Sequence, residues 1–154
     1  MSDATTETER QTPAGERALS YTHLYNMSPM ARIRLIRDGV PTAIVNQMSG
    51  DLGINRKMLR EALNLKAAST CRHSLSTSAG ELVLGLARLI GQVEAMVQEA
   101  GDPTDFKPAV WLSGWLCAPL PALGGDRAID LLDTVEGQAL VSRLLSQMQG
   151  GAYA

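Results

Sequence analysis

Residues 115–154 read WLCAPLPALGGDRAIDLLDTVEGQALVSRLLSQMQGGAYA, and this block decides the fold class. Pro119 and Pro121 have no amide donor and force an extended path, so a helix running into Trp115-Leu116 must stop before them. Gly124-Gly125 permits a tight turn that residues with a Cβ rarely adopt. A short apolar turn, Ile129 to Leu132, follows. Asp133 is then predicted to cap a last helix, with Glu136 closing an acidic capping box. Leu140, Val141, Leu144, Leu145 and Met148 share one stripe of that helix, which ends at Gly150-Gly151. Asp133 therefore has a structural explanation, and Gly124-Gly125 lacks the lysine and the spacing of a phosphate loop. The block presents a surface and holds no catalytic constellation.

Upstream, the same helical punctuation recurs. Ser28-Pro29 reads as an N-cap followed by proline at the first helical position, opening a short basic helix through Arg37 that Asp38-Gly39 ends. Pro41 opens a second helix with Ile44, Val45, Met48 and Leu52 at three-to-four spacing. Gly53 closes it. Asn55 caps a third helix with Met58, Leu59, Ala62 and Leu63 as its apolar stripe. After Asn64-Leu65 a short polar helix is predicted from Lys66 to His73. Ser78 with Glu81 forms a capping box for a long helix to about Glu99, with Leu82, Leu86, Leu89, Ile90, Val93 and Met96 on one side. Asp102-Pro103 opens a further helix containing Phe106, Val110, Trp111, Leu112 and Trp115. No segment alternates with period two for long enough to argue for a strand. The predicted fold is all-α, without internal repeats.

Bulk composition agrees. The 154 residues are 45% hydrophobic and 19% charged, but only 4% aromatic. The core must therefore come from Leu, Ile, Val, Ala and Met, which suits helix packing. Cys71 and Cys117 lie far apart without metal spacing, as expected of incidental thiols in a reduced cytoplasmic chain. The polar N-terminus, MSDATTETERQTPAGER, has no apolar core of a signal peptide. The apolar run from Leu82 to Val97 is broken by Arg88, Gln92 and Glu94, so it is not expected to span a membrane. Residues 1–20 are too polar to order themselves, and residues 1–28 as a whole are expected to be a disordered or loosely ordered tail.

The formal charge of −2 is unevenly spread. Residues 31–75 hold eight Lys or Arg against three Asp or Glu, while the flanking stretches are acidic. A basic middle between acidic flanks can meet phosphate despite the total. Residues 41–74 have the outline of a helix-turn-helix, with Asn64 standing in for the usual turn glycine. Ser69, Thr70, Arg72 and His73 are the candidates for base edges, and Arg56, Lys57, Arg60 and Lys66 for phosphates. Arg72 is the foremost candidate for guanine readout. A second reading stays open, in which these charges only solvate one face of a helical bundle.

Trp115-Leu116, Pro119, Pro121 to Gly125, Leu131 to Thr134, Glu136-Gly137 and Gly151 to Ala154 together resemble the toxin-binding domain of the Xre/MbcA/ParS antitoxins. Residues 39–97 are similar in layout to that family's Xre-like helix-turn-helix domain. Ala128 and Leu120 depart from the family's common proline and frequent asparagine. The resemblance implies domains at 29–99 and 100–154, the first DNA-binding and the second toxin-binding. It implies a type II antitoxin that occludes the active site of a RES-class, NAD-consuming toxin and represses its own operon at operator DNA. Carried over, the toxin-facing residues are Leu123, Gly124, Gly125, Asp126, Arg127, Arg143, Tyr153 and Ala154. Arg143 has a salt bridge as its competing explanation, and the last two residues a frayed terminus. Homodimers are expected from paired half-sites, with the Ser78–Glu99 helix as the candidate interface. No catalytic residue, cofactor or metal is expected. The alternatives are a stand-alone transcriptional regulator whose C-terminal domain only dimerises or senses, and an enzyme. Against the enzyme, neither of the two histidines lies beside a plausible nucleophile or acid pair.

Overall fold

A computed structural model of the chain describes residues 19–66, 70–71, 73–101 and 104–150. Among the described residues are seven α-helices: α1 (Tyr21–Asn26), α2 (Pro29–Asp38), α3 (Ala43–Leu52), α4 (Arg56–Ala62), α5 (Thr77–Ala100), α6 (Pro108–Cys117) and α7 (Val135–Gln149). A minimal antiparallel hairpin, β1 (Thr70–Cys71) with β2 (Ser74–Leu75), precedes α5. Two 3-10 turns, Pro121–Leu123 and Ala128–Leu131, lie between α6 and α7. The class is all-α, as the sequence predicts.

Most punctuation falls where the residues demand it. Ser28 Oγ accepts from the Ala31 amide and Asn55 Oδ1 from the Met58 amide, capping α2 and α4. Three helix starts shift. Ser76, not Ser78, caps α5 by accepting from Ala79, because Leu75 stays extended and the helix begins at the next free residue. Thr134, not Asp133, caps α7 through the Gly137 amide at 2.9 Å. Helix α6 begins at Pro108, where a missing amide costs nothing, and Phe106 lies ahead of it. Asp102 and Pro103 lie outside the described residues.

The hairpin corrects the helix predicted from Lys66 to His73. The run Ser-Thr-Cys-Arg-His contains mostly weak helix formers. Its neighbours instead bond the loop before α3: the Leu75 amide donates to the Val40 carbonyl at 2.8 Å, and the Thr42 amide to the His73 carbonyl at 3.0 Å. Tertiary partners outweigh a feeble local preference. Within the expected N-terminal tail, residues 21–26 are helical, and Tyr21 and Leu24 are buried. A six-residue helix is unstable alone, so α1 exists because it packs on α5.

Helix α5 is the centre of the molecule. Beyond the predicted stripe it buries Val83, Leu84 and Ala87 together with Leu86, Leu89, Ile90 and Val93, while α1, α2, α3, α6 and α7 pack around it. Each of its large apolar side chains contributes about 1.5–3 kcal/mol. Most of its apolar surface is covered inside the chain, and Leu82, Met96 and Val97 remain partly exposed on the helix that the sequence offers as a dimer face. Two glycines set how close its neighbours come. A Cβ at Gly91 would run into the Tyr21 carbonyl, and one at Gly85 into the Gln138 side chain. Through the Gly85 gap Gln138 Nε2 donates to the Leu82 and Leu132 carbonyls, at 2.9 and 3.0 Å. Buried Gln92 bonds α7 in the same way, donating to the Ser142 carbonyl and Ser146 Oγ while accepting from Ser142 Oγ. Stripping one partner from such a pair leaves the other unsatisfied, at about 1–3 kcal/mol.

On the α1 side, Tyr21 donates its phenol proton to Asp51, and one Glu94 oxygen is buried without a hydrogen-bond partner. Burial pushes the Glu94 carboxyl above its ordinary range, with the Asp51 charge adding to the shift.

Gly91→Ala is expected to lower unfolding stability by about 1–3 kcal/mol through forced displacement of α1, with faster amide exchange in residues 21–26 than in α3. Glu94→Gln tests the raised carboxyl. A carboxyl raised on folding favours the folded state below its unfolded pKa, and that contribution is lost as pH rises through the folded value. The Gln variant is therefore expected to be more stable than the parent near neutrality. Urea titrations should show the gap closing as pH falls towards about 4.

Candidate interaction surfaces

Helices α3 and α4 are joined by Gly53, Ile54 and Asn55. Gly53 sits in the left-handed region at φ 70°, so the tight turn does contain its glycine, at a position other than Asn64. Asn64 (φ 51°) instead follows the end of α4. A polar groove runs between the two helices, lined by Thr42, Asn46, Arg56, Lys57, Arg60 and Asn64 among others. Arg56 is held there by donating to Asn46 Oδ1 at 3.0 Å, and Lys57 pairs loosely with Glu61 at 3.9 Å on the exposed helix surface.

The candidate DNA residues thus separate. Arg56, Lys57 and Arg60 line one groove, and Lys66 is exposed beyond α4. His73 is exposed in the hairpin turn, beside the start of α3 through its carbonyl, and Thr70 lies in β1. Ser69 and Arg72 lie outside the described residues. The polar recognition helix expected over 66–73 is absent at Thr70–Leu75, and α4 is the exposed basic helix. Thr42 and Asn46 were not singled out by sequence; only their approach to α4 makes them lining residues.

At the other end, the chain leaves α6 through the extended Ala118 and folds into a closed turn. Pro119 bridges Arg127, the Leu120 amide donates to the Asp126 carbonyl at 3.0 Å, and the Gly125 amide donates back to the Leu120 carbonyl at 2.9 Å. Gly124 and Gly125 both have positive φ, 67° and 95°. The result is a rigid, exposed loop with Leu123 half-buried as its anchor on the core. Arg127 forms a bidentate pair with Asp130 at 3.1 and 3.2 Å. Such exposed pairs are worth only about 0–1 kcal/mol, so Arg127 is easily redirected. Arg143 projects from the exposed side of α7, and among the described residues no ion pair includes it. Tyr153 and Ala154 lie outside the described residues.

One feature of this half escaped the sequence pattern. Trp111 stacks on Trp115 at 6.1 Å, Phe106 tilts against Trp111 at 6.3 Å, and Phe106 and Val110 are exposed. The i, i+4 spacing of the tryptophans was the available signal, but the solvent-facing side of α6 is set by tertiary packing.

The antitoxin Xre/MbcA/ParS C-terminal toxin-binding domain matches residues 100–151, which hold this loop and aromatic cluster. The chain is also 45% identical, over 159 aligned positions spanning the whole of both proteins, to the Prs ADP-ribosylating antitoxin of Sphingobium sp. (strain YBL2). The chain belongs to the Xre/MbcA/ParS antitoxin family. It is an antitoxin of a toxin–antitoxin system, and its toxin-binding domain indicates a cognate toxin as partner. Among the described residues no helix is long and apolar enough to cross a membrane.

The loop's rigidity gives a direct contrast. Gly125→Val places a Cβ at φ 95° in open space, so its cost is purely conformational, about 1–3 kcal/mol. Gly114→Ala, in mid-α6 and equally unobstructed, is expected to raise stability by about 0.5–1 kcal/mol. Chemical denaturation midpoints of the two variants check both signs.

Proposed function

We propose that this chain is a type II antitoxin that neutralises a RES-class, NAD-consuming toxin by covering its active site with residues 100–154, and that residues 29–99 repress its own operon as a DNA-binding homodimer. The observation that carries the toxin half is the rigid, exposed loop at Leu123, Gly124, Gly125, Asp126 and Arg127, placed within the matched toxin-binding domain. A preformed loop loses little conformational entropy on docking, which favours insertion into a cleft. Arg143 and the closing Tyr153-Ala154 extend that surface in this reading, and the aromatic patch on α6 adds the residue types that dominate binding energy at interfaces. The Sphingobium relative's name joins an antitoxin to ADP-ribosylation, a reaction that takes ADP-ribose from NAD. Carried to this chain, that supports a toxin using NAD. The antitoxin itself acts by binding and not by catalysis.

For DNA, the α3–Gly53–α4 arrangement supports a helix-turn-helix with α4 as the groove-entering helix. Arg56, Lys57 and Arg60 then meet phosphates or bases, with Lys66, Thr70 and His73 at the flanks, and Ser69 and Arg72 assigned to the same interface.

The two halves are separable by surface variants. Arg56→Ala with Lys57→Ala and Arg60→Ala is expected to weaken operator binding and to reduce the salt slope by about one per lost phosphate contact, leaving toxin neutralisation intact. Gly125→Glu is expected to do the reverse, restoring toxin NAD consumption in a two-component assay while operator binding holds. Full inhibition by Gly125→Glu and by an Arg143→Glu, Val110→Glu variant alike would remove residues 100–154 from the toxin interface. Unchanged operator affinity in the α4 triple variant would move the DNA surface elsewhere.

A further inference from the structure

A recessed cleft of about 380 Å³ lies between α2, α5 and α7, outside both surfaces described above. Its walls are apolar, from Ile33 and Ile36 on α2, Leu84 and Leu89 on α5, and Val135 and Ala139 on α7. Two arginines, Arg32 and Arg88, open into it. The Arg88 Nε is buried and has no hydrogen-bond partner. Arg32 turns part of its guanidinium to the Leu24 and Met27 carbonyls. Among the described residues, the ion pairs are Lys57–Glu61 and Arg127–Asp130, and neither involves these arginines. Burial and then the nearby Arg32 charge make the Arg88 cation less favourable than in water. Two like charges drawn into one apolar cleft are costly unless an anion joins them. Glu81 lines the cleft but is exposed and forms no ion pair with either arginine. Gln92 and Gln138, also on the wall, are already committed to the α5–α7 bonds.

We propose that this cleft binds a small molecule carrying an oxyanion, with Arg88 and Arg32 gripping the oxyanion and the Ile33, Leu84 and Val135 side chains covering an apolar body. The guanidinium fork matches carboxylate and phosphate oxygens in a way an ammonium cannot. The volume falls within the range of small-molecule sites, and three helices enclose it, which favours a small molecule over a flat protein contact. Helix α2 gives the second reason. It buries none of its residues fully and leaves Ile33 exposed at this edge, so an occupant would complete its packing. Bound there, the ligand touches α2 from the basic half and α7 from the toxin-binding half. It thereby links the two. This inference stands whether or not the toxin is of the RES class.

Phenyl phosphate, benzoate and the uncharged phenol serve as probes on the full chain, followed by calorimetric titration and thermal unfolding. Phenyl phosphate or benzoate is expected to bind and raise the melting temperature, and phenol to do neither; which anion binds more tightly distinguishes a phosphate ligand from a carboxylate. Arg88→Met is expected to weaken the better anion about 10-fold or more, the loss of a charge-assisted bond. Its ligand-free melting temperature should match or exceed the parent's, since an unpaired charge has been replaced by an apolar chain. If Arg88→Met does not fold, Arg32→Gln and Arg88→Lys are read by the same affinity ratio. Failure of every anion to bind at millimolar concentration overturns the proposal, as does equal response in parent and variants. Loss of toxin co-purification in Arg88→Met without anion binding by the parent would also overturn it, in favour of a protein side chain as occupant.

Discussion

Helix α5 is buried along most of its length, and that single constraint organises the rest of the chain. A helix surrounded by neighbours needs places where backbones can approach it, and Gly85 and Gly91 supply them. At Gly91 the α1 backbone crosses in near contact; at Gly85 the Gln138 side chain threads across to the Leu82 carbonyl. The paired glutamines then fix the register of α7 in a way that apolar contact alone does not, because each amide fits only one set of partners. With α3 and α6 also meeting each other, the core runs without a break from Tyr21 to Leu145.

Both candidate surfaces hang from this core. The α3–α4 groove is stiffened by Leu59 and Leu63, buried behind Arg56, Lys57 and the half-buried Arg60. The loop before α7 is stiffened by Ala128, Ile129 and Leu132 beneath it. The chain is an antitoxin, and packing pre-sets the geometry of the groove and of the loop that are its candidate recognition elements.

Much of this was legible in the sequence. Capping hydroxyls and amides at Ser28 and Asn55, helix-ending Gly39 and Gly53, and the proline-bounded turn at 119–125 each carry a local physical reason, and each stands where it was read. What was not legible is set by distant partners. The Thr70–Leu75 hairpin depends on Val40 and Thr42, some thirty residues away. Moving the cap from Ser78 to Ser76 follows from the hairpin. The central burial of α5 was hidden because a single apolar stripe looks the same whether one face or nearly all faces are covered; Val83, Leu84 and Ala87 were the unused signal. Arg88 was read as an interruption in an apolar run, and only the approach of α2 makes it part of a cleft. For the toxin-facing set, family resemblance and not periodicity points to the loop, and the sequence leaves Arg143 open between a salt bridge and a toxin contact.

One α5-centred core holds both surfaces, so that they form and fail together. Native-state hydrogen exchange on the full chain tests it most directly, comparing slow amides of α3 with those of α7 across a denaturant series. A single core is expected to give both helices the same opening free energy and the same denaturant dependence. Opening of α7 at clearly lower free energy, with α3 still protected, would contradict it and make the two halves independent units.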